Sequence, residues 1–247
     1  MRKVFKIIFI TLLFQAQFLR AENVICSQKN FIVVPEFTLR TLRALNVAFM
    51  AYESVPSNNK YPQITKAKSS TAVNLLSGTS VNVGDKIETG PGQKVKLRFF
   101  LPIEQIITID ENTIVEVNAL PTQDCTSIIN VTKGKVTTEG EHKNIQATEK
   151  CFAKPEIQTP AAEIKPNGTK YSVDLNSAIA EASGDTIQEE NYAVEKGSIQ
   201  IKLKKARPNK KSERIAKNGT FNLKAGQKAK VKINEKTQVA DIEVIEP

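Results

Sequence analysis

Along much of the chain apolar and polar residues alternate one by one, the signature of a strand with one buried and one wet face. Val95, Leu97 and Phe99 alternate with Lys94, Lys96 and Arg98, and Ala229, Val231 and Ile233 alternate with Lys228, Lys230 and Lys232. Ile199, Ile201 and Leu203 do the same against Gln200, Lys202 and Lys204. Two stretches, 129–138 (INVTKGKVTT) and 192–203 (YAVEKGSIQIKL), set Lys-Gly between two β-rich runs. Each predicts a hairpin whose turn uses the freedom of glycine to take positive φ. Further turns are predicted at Gly90-Pro91-Gly92, Asn167-Gly168, Gly184-Asp185 and Asn218-Gly219. The expected fold class is all-β, with many short strands forming a β-roll, a solenoid-like stack or a sandwich.

One stretch has a different period. Between 36 and 53, Leu39, Leu42, Leu45, Phe49 and Tyr52 recur at three- and four-residue steps, with Pro35 ahead and Pro56 beyond. This predicts one N-terminal amphipathic helix. Its apolar face is read as a lid on the β domain, or alternatively as a docking element that brings Arg40 and Arg43 to anionic groups. Ser57-Asn58-Asn59-Lys60 follows as a polar linker.

The first residues bear on compartment. Arg2, Lys3 and Lys6 precede an apolar run at 7–14, and Leu19-Arg20-Ala21 offers a cleavage site, so 1–21 reads as a signal peptide. The run is short for a membrane span of about twenty residues. The expected division is signal peptide 1–21, N-terminal helical extension 22–61 and β domain 62–247. The chain carries 35 basic and 26 acidic residues, a net +9. Arg2, Lys3, Lys6 and Arg20 belong to the signal, which holds no acid, so the remainder has 31 basic and 26 acidic residues, or +5. Tryptophan is absent and aromatics are few, which argues against readings based on aromatic stacking, whether on single-stranded nucleic acid or against sugar rings, and no nucleic-acid partner is expected.

Little points to catalysis. His142, the single histidine, sits in Glu139-Gly140-Glu141-His142-Lys143, a polar loop. With three dispersed cysteines it shows no zinc spacing, so no metal or cofactor is expected. Asp110 with Glu111, and Glu189 with Glu190, are adjacent, and adjacent strand residues face opposite ways, so neither pair forms an acid/base couple. No elbow motif surrounds any serine. In an exported chain Cys125 and Cys151 are the favoured disulfide pair, a bridge worth about 3 kcal/mol by loop entropy, which leaves Cys26 free or open to another chain. The densest charge lies at 202–217, where Lys204, Lys205, Arg207, Lys210, Lys211, Arg214 and Lys217 surround Pro208-Asn209 with Glu213 the lone acid. An extended loop of this kind makes a positive field suited to anionic envelope polymer or lipid headgroups.

The order Gly84-Asp85-x-Ile87-x-Thr89, an alternating strand, Gly134, Thr159-Pro160-Ala161, Gly168-Thr169, Gly197 and Ala225-Gly226-Gln227 resembles the FecR domain over about residues 62–235. That resemblance implies a periplasmic β-rich module, in many members the outer part of a sigma-factor regulator and in others a stand-alone envelope protein. Since an export signal opens the chain, the expectation is the stand-alone form, without anti-sigma and transmembrane segments. Where the family has an Asp-Gly-Ser turn, this chain has Leu101-Pro102-Ile103-Glu104-Gln105 after Phe99 and Phe100. Phe99, Phe100 and Ile103 are therefore expected at an apolar contact tip. The glycines, with Asp85 and Thr89, are assigned to turns and their capping. The functional expectation is a non-enzymatic scaffold or binding module of the periplasm. Its partners would be an envelope protein, an anionic polymer or a membrane surface; the alternative is a component relaying a receptor signal through a separate membrane partner.

Overall fold

A computed structural model describes residues 49–99, 105–120, 126–140, 154–180 and 185–247, all within the compact unit Asn46–Pro247. The first half of this region runs β1 (Phe49–Val55), β2 (Gln63–Thr65), β3 (Ala72–Asn74), β4 (Ser80–Val81), β5 (Lys86–Glu88), β6 (Lys94–Phe99), β7 (Gln105–Ile109) and β8 (Ile114–Ala119). The second runs β9 (Thr126–Gly140), β10 (Lys154–Gln158), β11 (Ala162–Ala180), β12 (Thr186–Leu203), β13 (Arg207–Pro208), β14 (Thr220–Lys224), β15 (Lys228–Asn234) and β16 (Val239–Ile245). Among the described residues the fold is all-β apart from one turn of 3-10 helix, as the alternation predicts. Val95, Leu97 and Phe99, then Ile199, Ile201 and Leu203, then Ala229, Val231 and Ile233 all point into one shared core. The strands join in a single hydrogen-bonded sheet, and the pairings β9–β10, β10–β11 and β11–β9 close a ring within it.

Lys133-Gly134 and Lys196-Gly197 do not make hairpins. Both lie inside long continuous strands, β9 and β12. Along β9 the buried positions are Ser127, Ile129 and Val131 and then Val136 and Thr138, so the inward face changes parity at Gly134. Its partners change at the same point: β8 lies beside Ile128–Lys133 and β7 beside Val136–Gly140. β12 repeats the arrangement, with β15 beside Ile187–Ala193 and β14 beside Ser198–Lys202. Each glycine is thus a corner where a strand bends between two pairs of partners, the role of a glycine bulge and not of a reversal. Asn167-Gly168, also expected to reverse the chain, lies within β11 at a register shift facing Gly197. Asn218-Gly219 is a true tight turn, with both residues at positive φ and a bridge between Lys217 and Thr220.

Of the helix expected over 36–53, the part up to 48 lies outside the described residues. The rest is strand. Phe49 and Ala51 are buried in β1, which pairs with β6 and β4, while Tyr52 faces outward with the Arg98 guanidinium 5.0 Å from its ring centre. Phe49 and Tyr52 would share a helix face, but in a strand their three-residue step sends the two rings to opposite faces, as the burial of Phe49 and Ala51 and the exposure of Tyr52 show. The β domain therefore begins ahead of residue 62.

Candidate functional site

The basic stretch is not an extended loop. After β12, Arg207–Pro208 runs parallel to the start of β16, with the Arg207 amide donating to the Gln238 carbonyl (2.9 Å) and Asn209 to Ala240 (2.8 Å). Asn209 then organises the turn that follows: its side-chain oxygen accepts the Ser212 amide (2.8 Å) and its side-chain nitrogen donates to Asp241 (3.0 Å). Ser212–Arg214 forms one turn of 3-10 helix. Ser212 itself is fully buried, and its hydroxyl oxygen accepts the backbone amide of Ile242 at 2.8 Å. An excursion that would otherwise be loose is fastened to the edge of the sheet.

That fastening has a measurable worth. Ser212→Ala leaves the Ile242 amide buried without its acceptor, and the expected loss is about 1–3 kcal/mol of folding stability. Chemical denaturation of the variant checks it; an unchanged midpoint contradicts the anchoring role.

All seven expected cations, Lys204, Lys205, Arg207, Lys210, Lys211, Arg214 and Lys217, are exposed on this excursion. Lys204 is the one that is tied down, its ammonium donating to the Thr159 carbonyl at 2.8 Å. Elsewhere lysines sit beside carboxylates: Lys66 with Asp85 at 2.8 Å, Lys94 with Asp110 at 3.1 Å, Lys96 with Glu53 at 2.5 Å, Lys170 with Glu195 at 2.9 Å and Lys230 with Glu189 at 3.3 Å. Among the described residues none of the seven has a carboxylate within 4.0 Å. Lys60, Lys68, Lys86, Lys133, Lys165, Lys196, Lys202, Lys224 and Lys228 also lack a carboxylate within 4.0 Å among the described residues, so what sets 204–217 apart is the density of such cations on one ordered projection.

Phe99 departs from its expected role. It is buried in the core, its ring edge-on to Phe49 with centroids 5.4 Å apart, so it is not a contact residue. The inward phase of β6 decides this, since Phe99 shares the face of Val95 and Leu97. Phe100, Ile103, Cys125, Cys151 and His142 lie outside the described residues. Asp85 and Thr89 are capping groups, as expected. Asp85 is buried and accepts the amides of Ala67 (3.0 Å) and Asn82 (2.9 Å), and the Thr89 hydroxyl donates to the Asp110 carbonyl (2.6 Å) and accepts the Thr113 amide (3.0 Å).

The pair Glu189 and Glu190 splits across the sheet, as strand geometry requires. Glu189 faces Lys230 and Lys232. Glu190 points into the core, where its carboxylate accepts from Thr159 (2.8 Å), Gln188 (2.8 Å), the Ala161 amide (3.3 Å) and the Tyr192 hydroxyl. Burial pushes the Glu190 carboxyl above the usual carboxylate range despite these donors and the nearby Lys204 charge. Burial and the adjacent carboxylate also push the Tyr192 phenol well up. The sequence carries a trace of this network, because Glu190, Tyr192 and Val194 share one face of the strand, yet an acid at an inward position reads as an error in the pattern.

No protein-family profile matches the chain, and no curated protein matches it. Among solved structures, two crystal structures described as a provisionally assigned anti-sigma factor from Parabacteroides distasonis are similar, at 11% and 10% identity, each with a TM-score of 0.42. Each comparison covers 65% of this chain and 59% of that one. The chain therefore spans less than two thirds of the length of those proteins.

Proposed function

We propose that this chain is an exported envelope protein whose β domain is a non-catalytic binding module, with the 204–217 excursion as the surface that meets an anionic envelope polymer or membrane face. The observation that carries the reading is the density of unpaired cations on one fastened segment. Seven cations without a carboxylate within 4.0 Å fall between residues 204 and 217, on a segment held in place by Asn209 and Ser212. A protein that needed these cations only for solubility would gain nothing from fixing them in one place. Each basic residue brought to an anionic surface contributes about 1 kcal/mol, so several acting together give usable affinity without a pocket. The resemblance to FecR domains and the N-terminal signal pattern support the compartment.

The interaction is electrostatic and therefore salt-sensitive. Co-sedimentation of the mature protein with isolated envelope material is expected to fall as ionic strength rises. It is also expected to fall on the double substitution Lys210→Glu, Lys211→Glu. Retention unchanged in both experiments removes this surface from the reading. Recovery of a receptor or sigma regulator as the bound species would favour relay of a signal over scaffolding.

A further inference from the structure

Residues 57–60, expected as a linker, form a tight turn. Ser57 and Lys60 exchange both backbone hydrogen bonds, at 3.0 and 2.9 Å, with Asn58 and Asn59 at φ of 50° and 58°. Asparagine is among the few non-glycine residues that accept this geometry. The turn delivers Lys60 and Tyr61 to the rim of a cleft of about 400 Å³, whose walls include Gln63 of β2, Asn74 of β3 and Glu88 of β5. Sheet register aligns these three, because Gln63 stands opposite Asn74 on one side and Glu88 on the other.

The frame is rigid. Gln93 is buried beneath it, accepting the Gly90 amide (2.6 Å) and donating to the Lys60 carbonyl (2.9 Å). The Gln63 amide nitrogen donates to the Tyr61 carbonyl (2.8 Å) and to Asn74 Oδ1 (2.9 Å). Those bonds leave Gln63 Oε1, Asn74 Nδ2, the Glu88 carboxylate and the Lys60 ammonium without partners among the described residues. The cleft therefore offers acceptors and donors side by side, next to a half-exposed phenol ring.

We propose that this cleft binds an uncharged saccharide unit of an envelope glycan, with Tyr61 as the plate against which the sugar ring lies. Three features select that class. Hydroxyl groups both donate and accept, matching a wall that presents Gln63 Oε1 and Glu88 beside Asn74 Nδ2 and Lys60. The C–H face of a sugar ring matches an aromatic surface, and a single placed tyrosine supplies it however few aromatics the chain has. Lys60 and Glu88, though not paired, are of opposite sign and leave the cleft without net charge, so it lacks the pull on polyanions that the excursion has. Its volume falls within the range of small-ligand sites, about 300–1,000 Å³. This site is separate in residues and in chemistry from the excursion.

The test is an amide-resolved NMR titration of the mature protein with two neutral probes, chitotetraose and cellotetraose. With at least one of them, shifts are expected to concentrate at 59–63, 74 and 88–93. Tyr61→Ala and, separately, Asn74→Ala should each weaken that probe by about tenfold or more, while spectral dispersion shows both variants folded. The Lys210→Glu, Lys211→Glu protein should bind it as the wild type does. The proposal is overturned if neither probe shifts these residues, if shifts fall elsewhere, or if both single variants bind unchanged. It is also overturned if triglycine produces the same shifts at equal concentration, which would mark a peptide site.

Discussion

Gly134→Ala is expected to cost about 3 kcal/mol or more of folding stability, the sum of a left-handed backbone penalty and an overpacking penalty. Gly134 has φ +82°, and a Cβ there would stand 2.3 Å from the Thr113 hydroxyl oxygen, 2.6 Å from the Thr113 Cα and 2.8 Å from the Asn112 carbonyl oxygen. The Thr113 hydroxyl could rotate, but the backbone of the β7–β8 turn cannot move away cheaply. It is held on both sides, by the Asp110 amide on the Lys135 carbonyl (3.0 Å) and the Lys135 amide on Thr113 Oγ1 (2.9 Å). The turn joining β7 to β8 thus nests against the corner of the strand that both of them pair with. Gly197 is built alike, its added Cβ lying 2.3 Å from the Gly168 carbonyl oxygen. Thermal or urea unfolding of Gly134→Ala measures the effect. Gly78 is the control, for it also has positive φ but nothing within 4 Å of an added Cβ, so Gly78→Ala should lose only the backbone part. Equal losses at the two positions would contradict the corner packing.

Removing the Glu190 side chain is the second large effect. Glu190→Ala strips the acceptor from the buried hydroxyl of Tyr192 and from the Ala161 amide and opens a cavity beside them, at an expected cost of about 3–5 kcal/mol. The pH dependence is more specific. Burial holds the Glu190 carboxyl above its ordinary value in the folded protein, so between the unfolded and folded pKa values the native state keeps a proton that the unfolded chain has released. The native state binds more protons there, and stability falls as pH rises. The contribution is complete below the unfolded value, near about 4.3, and is lost as pH climbs through the folded one. Glu190→Gln removes the titration while keeping the size of the side chain. The difference in stability between wild type and Glu190→Gln should therefore change across this window, to the disadvantage of the wild type at the higher pH. Parallel stability curves would show that Glu190 does not hold its proton in the fold.

The strands were legible because one buried face forces period two, and that same period, running through Val95 and Leu97, places Phe99 inward and not at the contact tip expected of it. The corners were not. A glycine at positive φ serves a tight turn and a bulge equally well, so Lys-Gly at 133–134 and 196–197 fits both. What separates them is the number of positive-φ residues. The true turns at 58–59 and 218–219 have Asn-Asn and Asn-Gly at both central positions, whereas Lys133 and Lys196 are not among the residues with positive φ. The helical period over Phe49 and Tyr52 misled because Phe49 and Tyr52 continue the steps set by Leu39, Leu42 and Leu45, although within β1 it is Phe49 and Ala51 that share the buried face.

Of the binding surface, charge density was legible and placement was not. Lysines and arginines at 204–217 stand out in any reading, but Ser212, which pins them, meets a partner thirty residues away and has no local signature. The cleft at Tyr61 was hidden for the same reason: its walls come from three strands and a turn that only register brings together.

The central claim is that uncancelled charge at one fastened site, and not the overall basicity of the chain, directs binding. It is tested most directly by comparing two variants that each remove two positive charges, Lys210→Gln with Lys211→Gln and Lys94→Gln with Lys96→Gln, for retention on isolated envelope material at low salt. Lys94 and Lys96 are the cancelled pair, facing Asp110 and Glu53. The account predicts loss of retention in the first variant and wild-type retention in the second. Equal retention by the two variants, whether reduced or intact, would contradict it.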